Sequence, residues 1–150
     1  MIKNVFKELA LGQKQVSRGR TITETDVVHF CMLTGNWIEL HSNTEFAKET
    51  KWKQRIVQGS LVFSIGNGMF EHDSELIEAF YGVDKLRFLK PTFIGDTITS
   101  TAEIINLREK GDDHGVATVR LIVGNQRGEA VLSCEFSLLV RHERLKPDSE

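Results

Sequence analysis

Gly59 to Phe70, GSLVFSIGNGMF, is the stretch on which the reading of the fold turns. Leu61, Val62, Ile65 and Met69 fall on one face at helical spacing, while Ser60, Ser64, Gly66 and Gly68 interleave with them. Glycine inside a helix costs about 1 kcal/mol relative to alanine. Gly66 and Gly68 therefore imply either a helix pressed against approaching backbone or a break near its end. A helix lying in the palm of a curved sheet has that need.

A sheet is written downstream. Leu86 and Phe88, Thr97 to Ile105, Val116 to Val123 and Ala130 to Val140 all carry strand periodicity. In the last run, Leu132, Cys134, Phe136, Leu138 and Val140 share one face and Ser133, Glu135 and Ser137 the other, the alternation of a half-buried antiparallel strand. Gly124 to Gly128, GNQRG, predicts a hairpin-type turn between the last two runs.

Upstream of the glycine-rich helix the texture is helical. Thr23 followed by Asp26 three residues later reads as a capping box, Val27, Phe30 and Cys31 recur at helical spacing, and Gly35 is placed to end the helix. A short helix is predicted over Thr44 to Thr50, with Glu45, Lys48 and Glu49 toward water and Phe46 inward. Val16 and its neighbours predict an edge strand. Helices segregated from an antiparallel meander give an α+β class with the helices on one face of one sheet.

The chain of 150 residues, 40% hydrophobic and 27% charged, fits one domain over 1–150, with a polar tail at about 145–150 expected to fray. Lys and Arg total 19 against 21 Asp and Glu, a net charge of -2 without long runs of one sign. That balance offers nothing to a nucleic acid backbone. The start, MIKNVFKELALG, lacks a signal-peptide layout and no apolar run approaches a membrane span, so a cytoplasmic protein without a membrane partner is expected. Cys31 and Cys134 read as free core residues, without a disulfide. His29, His72, His114 and His142 show no zinc-like spacing, so no metal or cofactor is expected.

The segment Leu33 to Gly59, LTGNWIELHSNTEFAKETKWKQRIVQG, leads directly into SLVFSIGNG. It is followed by RFLKPTFIGDTI at Arg87 to Ile98 and NQRGE at Asn125 to Glu129. In order and spacing these motifs resemble the MaoC-like dehydratases and R-specific enoyl-CoA hydratases, from about Gly19 to Val140. The resemblance implies a hotdog fold, an antiparallel β-sheet wrapped around a central helix, and a homodimer with its site near the subunit interface. It implies a hydro-lyase acting on an acyl-CoA or acyl carrier protein thioester.

Carried over by position, His41 matches the family's catalytic histidine, Gly59 the glycine whose N–H faces the thioester carbonyl, and Ser64 a supporting serine of the central helix. Asn36 stands where the family has its catalytic aspartate. Glu39 and Gln58 stand where a proline and a histidine are common. Trp37, Gln58 and Gly59 are candidate substrate-binding positions, and Trp37 and Trp52 could line an acyl or pantetheine channel or simply close a core.

Hydration of a 2-enoyl thioester needs a base for water, a proton for the α-carbon and donors for the thioester oxygen. Imidazole works near neutral pH, and a helix-opening N–H meets an oxyanion well. An amide such as that of Asn36 has no usable pKa, although it can hold a water. Three readings of Asn36 follow: a substitution that traps substrate, a binding-only homologue, or an enzyme using another carboxylate. Glu39 is the nearest carboxylate and shares the face of His41 if the segment is extended. A non-catalytic thioester-binding module and a hotdog thioesterase are the competing functions. Lys51, Lys53 and Arg55 offer positive charge to coenzyme A phosphates or form a solvated basic face.

Overall fold

The computed structural model describes residues 1–145, so the tail expected at about 145–150 lies, apart from Leu145, outside the described residues. In chain order the elements are β1 (Lys14–Val16), β2 (Arg20–Thr21), α1 (Glu24–Thr34), α2 (Glu39–Ser42), α3 (Thr44–Glu49), α4 (Gly59–Gly68), β3 (Ile77–Phe88), β4 (Thr97–Lys110), β5 (His114–Asn125) and β6 (Ala130–Arg141). The strands form one antiparallel sheet in the order β1-β4-β5-β6-β3, with β2 also pairing with β4. This is the α+β hotdog arrangement implied by the sequence.

The alternation in β6 is realised: Leu132, Cys134, Phe136, Leu138 and Val140 are buried, and Ser133, Glu135 and Ser137 are half-buried between them. β4 alternates in the same way from Thr97 to Ile104. The β5–β6 turn closes through the Asn125 N–H donating to the Glu129 carbonyl, with Gly128 at positive φ. The strand around Leu86 and Phe88 is longer than its sequence suggests and begins at Ile77. β3 lies at the sheet edge, its register with β6 shifts three times, and Lys85 has positive φ at one shift. An edge strand wetted on much of both faces has no reason to alternate.

α4 packs across β4, β5 and β6. A Cβ on Gly66 would stand 2.6 Å from Val123 Cγ2 and 3.2 Å from Ser100 Oγ, so Gly66 is a close approach, made to side chains of the sheet rather than to its backbone. Gly68 meets nothing and simply ends the helix. α1 has the full capping box, Thr23 Oγ1 accepting from the Asp26 N–H and Asp26 Oδ2 accepting from the Thr23 N–H, and Gly35 ends it in the left-handed region.

One local expectation is corrected. Phe46 of α3 is exposed, and Ala47 is the residue that faces inward, because Asn43 caps the helix and sets its phase. The N-terminal segment, unassigned in the sequence, puts Met1, Ile2, Phe6 and Leu9 into the core, with the Phe6 ring over Gly115. No helix among the described residues is long and apolar enough to cross a membrane.

Candidate functional site

His41 sits in α2, the single turn between Asn36 and α3. Its ring is oriented from outside that turn, Nδ1 lying 2.8 Å from the carbonyl oxygen of Ile56. A backbone carbonyl only accepts, so Nδ1 carries the proton and donates it, which leaves the Nε2 lone pair free. Ile56 is fixed in turn: its N–H donates to the Leu40 carbonyl at 3.2 Å, it bridges to Phe93, and the Val57 N–H donates to the Thr92 carbonyl at 2.8 Å. The histidine is therefore held by backbone that joins α2 to the strip leading into β4.

Beside His41 is a cavity of about 260 Å³. Gly59 and Val62 of α4, Trp52, Phe88 and Val131 contribute to its wall. Gly59 opens α4, and the first N–H groups of a helix lack partners within it. A Cβ on Gly59 would come within 2.6 Å of the Phe88 ring, so any side chain there would have to displace that ring. The cavity thus joins a histidine, a helix-start residue whose N–H has no partner among the described residues, and a largely apolar lining.

Of the remaining candidates only Trp52 lines this cavity; Asn36, Trp37, Gln58 and Ser64 do not. Asn36 follows the left-handed Gly35. Its N–H donates to Thr34 Oγ1 at 3.3 Å, and its Oδ1 is buried without a hydrogen-bond partner among the described residues. Gln58 is 1% exposed and does not line the cavity. Its Nε2 lies 3.0 Å from Cys31 Sγ, tying the start of α4 to α1, and its Oε1 has no partner among the described residues. Ser64 faces a separate groove formed with Gln15 to Arg20, and its hydroxyl donates to the Ser60 carbonyl at 2.9 Å. Trp37 is 52% exposed, whereas Trp52 lines the cavity with the Lys51 ammonium 4.5 Å from its ring centre.

Glu39 is corrected in one respect. The segment is helical rather than extended, so no strand face is shared with His41, and Glu39 accepts from Asn43 Nδ2 at 3.1 Å. Arg55 pairs with Glu24, and Lys53 turns the chain at positive φ. Both line a different depression, together with Glu24, Thr44 and Ile94.

The cavity wall from Phe88 to Thr92 was not singled out in the sequence, although RFLKPTFIGDTI was. That strip is braced from below. Asp96 is 4% exposed and accepts from the Phe93 N–H at 2.9 Å, Gln126 Nε2 at 2.8 Å and both terminal nitrogens of Arg127, at 2.7 and 3.0 Å. The two later motifs therefore meet each other, and the signal for this was the pairing of an acid in one with an arginine in the other.

A sequence model of the family described as MaoC like domain matches residues 6–125. The β-methylmalyl-CoA dehydratase of Chloroflexus aurantiacus is 35% identical over 141 residues, 92% of this chain, which spans 40% of that protein's length. The (R)-specific enoyl-CoA hydratase of Aeromonas caviae is 28% identical over 129 residues, 86% of this chain and 93% of that enzyme. Among solved structures, the monoamine oxidase regulatory protein of Archaeoglobus superposes with a TM-score of 0.90 at 40% identity, covering 93% of this chain and 95% of that one.

Proposed function

Since the chain belongs to the MaoC-like domain family, we propose that it is a hydro-lyase, an enoyl-thioester hydratase or 3-hydroxyacyl-thioester dehydratase acting on acyl-CoA or acyl carrier protein substrates. The observation that supports this reading is that His41, its Nδ1 bonded to the Ile56 carbonyl, and Gly59 at the start of α4 line one small cavity.

In the hydration direction, Nε2 of His41 takes a proton from water as the oxygen attacks C3 of the enoyl group. The electron pair moves through C2 to the thioester oxygen, where the Gly59 N–H and the α4 dipole stabilise the charge. Protonated His41 then returns a proton to C2, so one group serves as base and acid. Asn36 takes no proton, its amide having no usable pKa. In this reading Gln58 fixes the start of α4 through Cys31, and Trp37 and Ser64 contribute at the periphery.

Asn36 also favours one second reading, a thioester-binding module without turnover. Crotonyl-CoA separates the two. We expect loss of the enoyl absorbance with the unaltered chain and faster loss with Asn36→Asp, which restores a second titrating group. No change with either protein would sink the hydratase reading, and calorimetric binding without turnover would establish the module.

The same reading goes with a cytoplasmic homodimer. β3 ends the sheet, and Phe80, Tyr81 and Val83 are exposed along it, a strip that a second copy of β3 would cover. Light scattering should give twice the chain mass; a monomer at micromolar concentration would refute the dimer.

A further inference from the structure

Among the described residues that line the His41 cavity, Lys90 alone carries a permanent charge. Its neighbours there, Phe88, Leu89, Pro91 and Val131, are apolar. An ammonium against such a wall loses part of its hydration, and it needs an anion to make that up. Glu129 supplies one, at 2.6 Å from Lys90 Nζ.

Glu129, however, does not depend on Lys90. Asn125 Nδ2 donates to its carboxylate at 3.0 Å and Arg127 Nε at 3.1 Å. Asn125, Lys90 and Arg127 together bring its carboxyl down to about 2. If Lys90 turned away, two donors would remain on Glu129, and no buried charge would be stranded. The half-exposed pair itself holds Lys90 weakly. The root of the lysine is fixed meanwhile, since the N–H groups of Leu89 and Lys90 donate to the Val131 carbonyl at 2.8 and 3.4 Å. A flexible stem thus pivots from a rigid point on the cavity rim.

We propose that Lys90 is a substrate-binding residue that leaves Glu129 for an anionic group carried by the substrate outside its enoyl unit. That group is a carboxylate at the far end of the acyl chain or a phosphate of the carrier. The inference rests on the thioester reading of the site. A charge-assisted hydrogen bond at the edge of an apolar cavity discriminates strongly against a neutral ligand.

Calorimetry with three probes tests it. Crotonyl-CoA has phosphates and no distal carboxylate, the N-acetylcysteamine monothioester of fumarate has the carboxylate and no phosphate, and crotonyl N-acetylcysteamine has neither. Lys90→Gln should weaken one of the two anionic probes about tenfold and leave the neutral one unchanged. The probe that suffers identifies the anion. Lys90→Arg should restore the loss, and Lys48→Gln, a surface lysine paired with Glu45, should alter nothing. Equal weakening of all three probes by Lys90→Gln, or no weakening of any, overturns the proposal while leaving the thioester reading standing. Failure of every probe to bind the unaltered chain overturns that reading first, and this inference with it.

Discussion

Gly59 and Gly66 lie about two turns apart in the same helix, and neither has room for a methyl group, yet what stands in the way differs. At Gly59 the obstacle is the ring of Phe88, 56% exposed at the end of an edge strand and free to swing outward. At Gly66 it is Val123 and Ser100, both fully buried in the middle strands. One helix thus has a middle locked to the core and a first turn open to a cavity. The locked middle holds the open end steady, as the proposed role of the Gly59 N–H requires.

That contrast can be sharpened or broken by measurement, and the greatest change belongs to the open end. His41→Ala removes the proposed acid and base, and turnover should fall by about 10² to 10⁴-fold. The thermal midpoint should move little, since only one part-buried hydrogen bond is lost. A collapse of folding instead would make His41 a structural residue. Next in size is the contrast between the two glycines. Gly66→Ala forces a methyl into Val123 and should cost about 1 to 3 kcal/mol in denaturant unfolding. Gly59→Ala should cost under about 1 kcal/mol, because Phe88 yields, while impairing thioester binding in the cavity. Equal destabilisation by both would erase the distinction between anchored middle and functional end.

The parts of this molecule that were readable in its sequence are those ruled by neighbours along the chain. The capping box at Thr23 and Asp26, the left-handed Gly35, the alternation of β6 and the β5–β6 turn each depend on a few adjacent residues. Gly66 was readable because glycine is costly in a helix and so must be there for contact. β3 was cut short in the reading because an edge strand with shifting register has no periodicity to reveal it.

The site was legible as to type and only partly as to place. His41 and Gly59 do share a cavity, but its wall comes from Phe88 to Thr92 and Val131, remote in sequence and joined by pairing of the Leu89 and Lys90 N–H groups to Val131. Glu39 was considered for a strand face, whereas four residues of helix turn it toward Asn43. The tautomer of His41 could not be read at all, because it is set by a carbonyl fifteen residues away in the chain.

The strand order β1-β4-β5-β6-β3 also has a consequence for the route by which the chain folds. The three central strands follow one another between Thr97 and Arg141 and can zip together through short turns. The two flanks close over long spans, Lys14 onto Glu103 and Phe80 onto Leu138. Loop-closure entropy delays such contacts. On this topology the meander is expected to form first, with α4, which lies in sequence between the flanks, docking on it as they arrive. The residues that make the cavity, carried on α2, α4 and the end of β3, are then among the last to find their places and, by the same token, among the first to loosen.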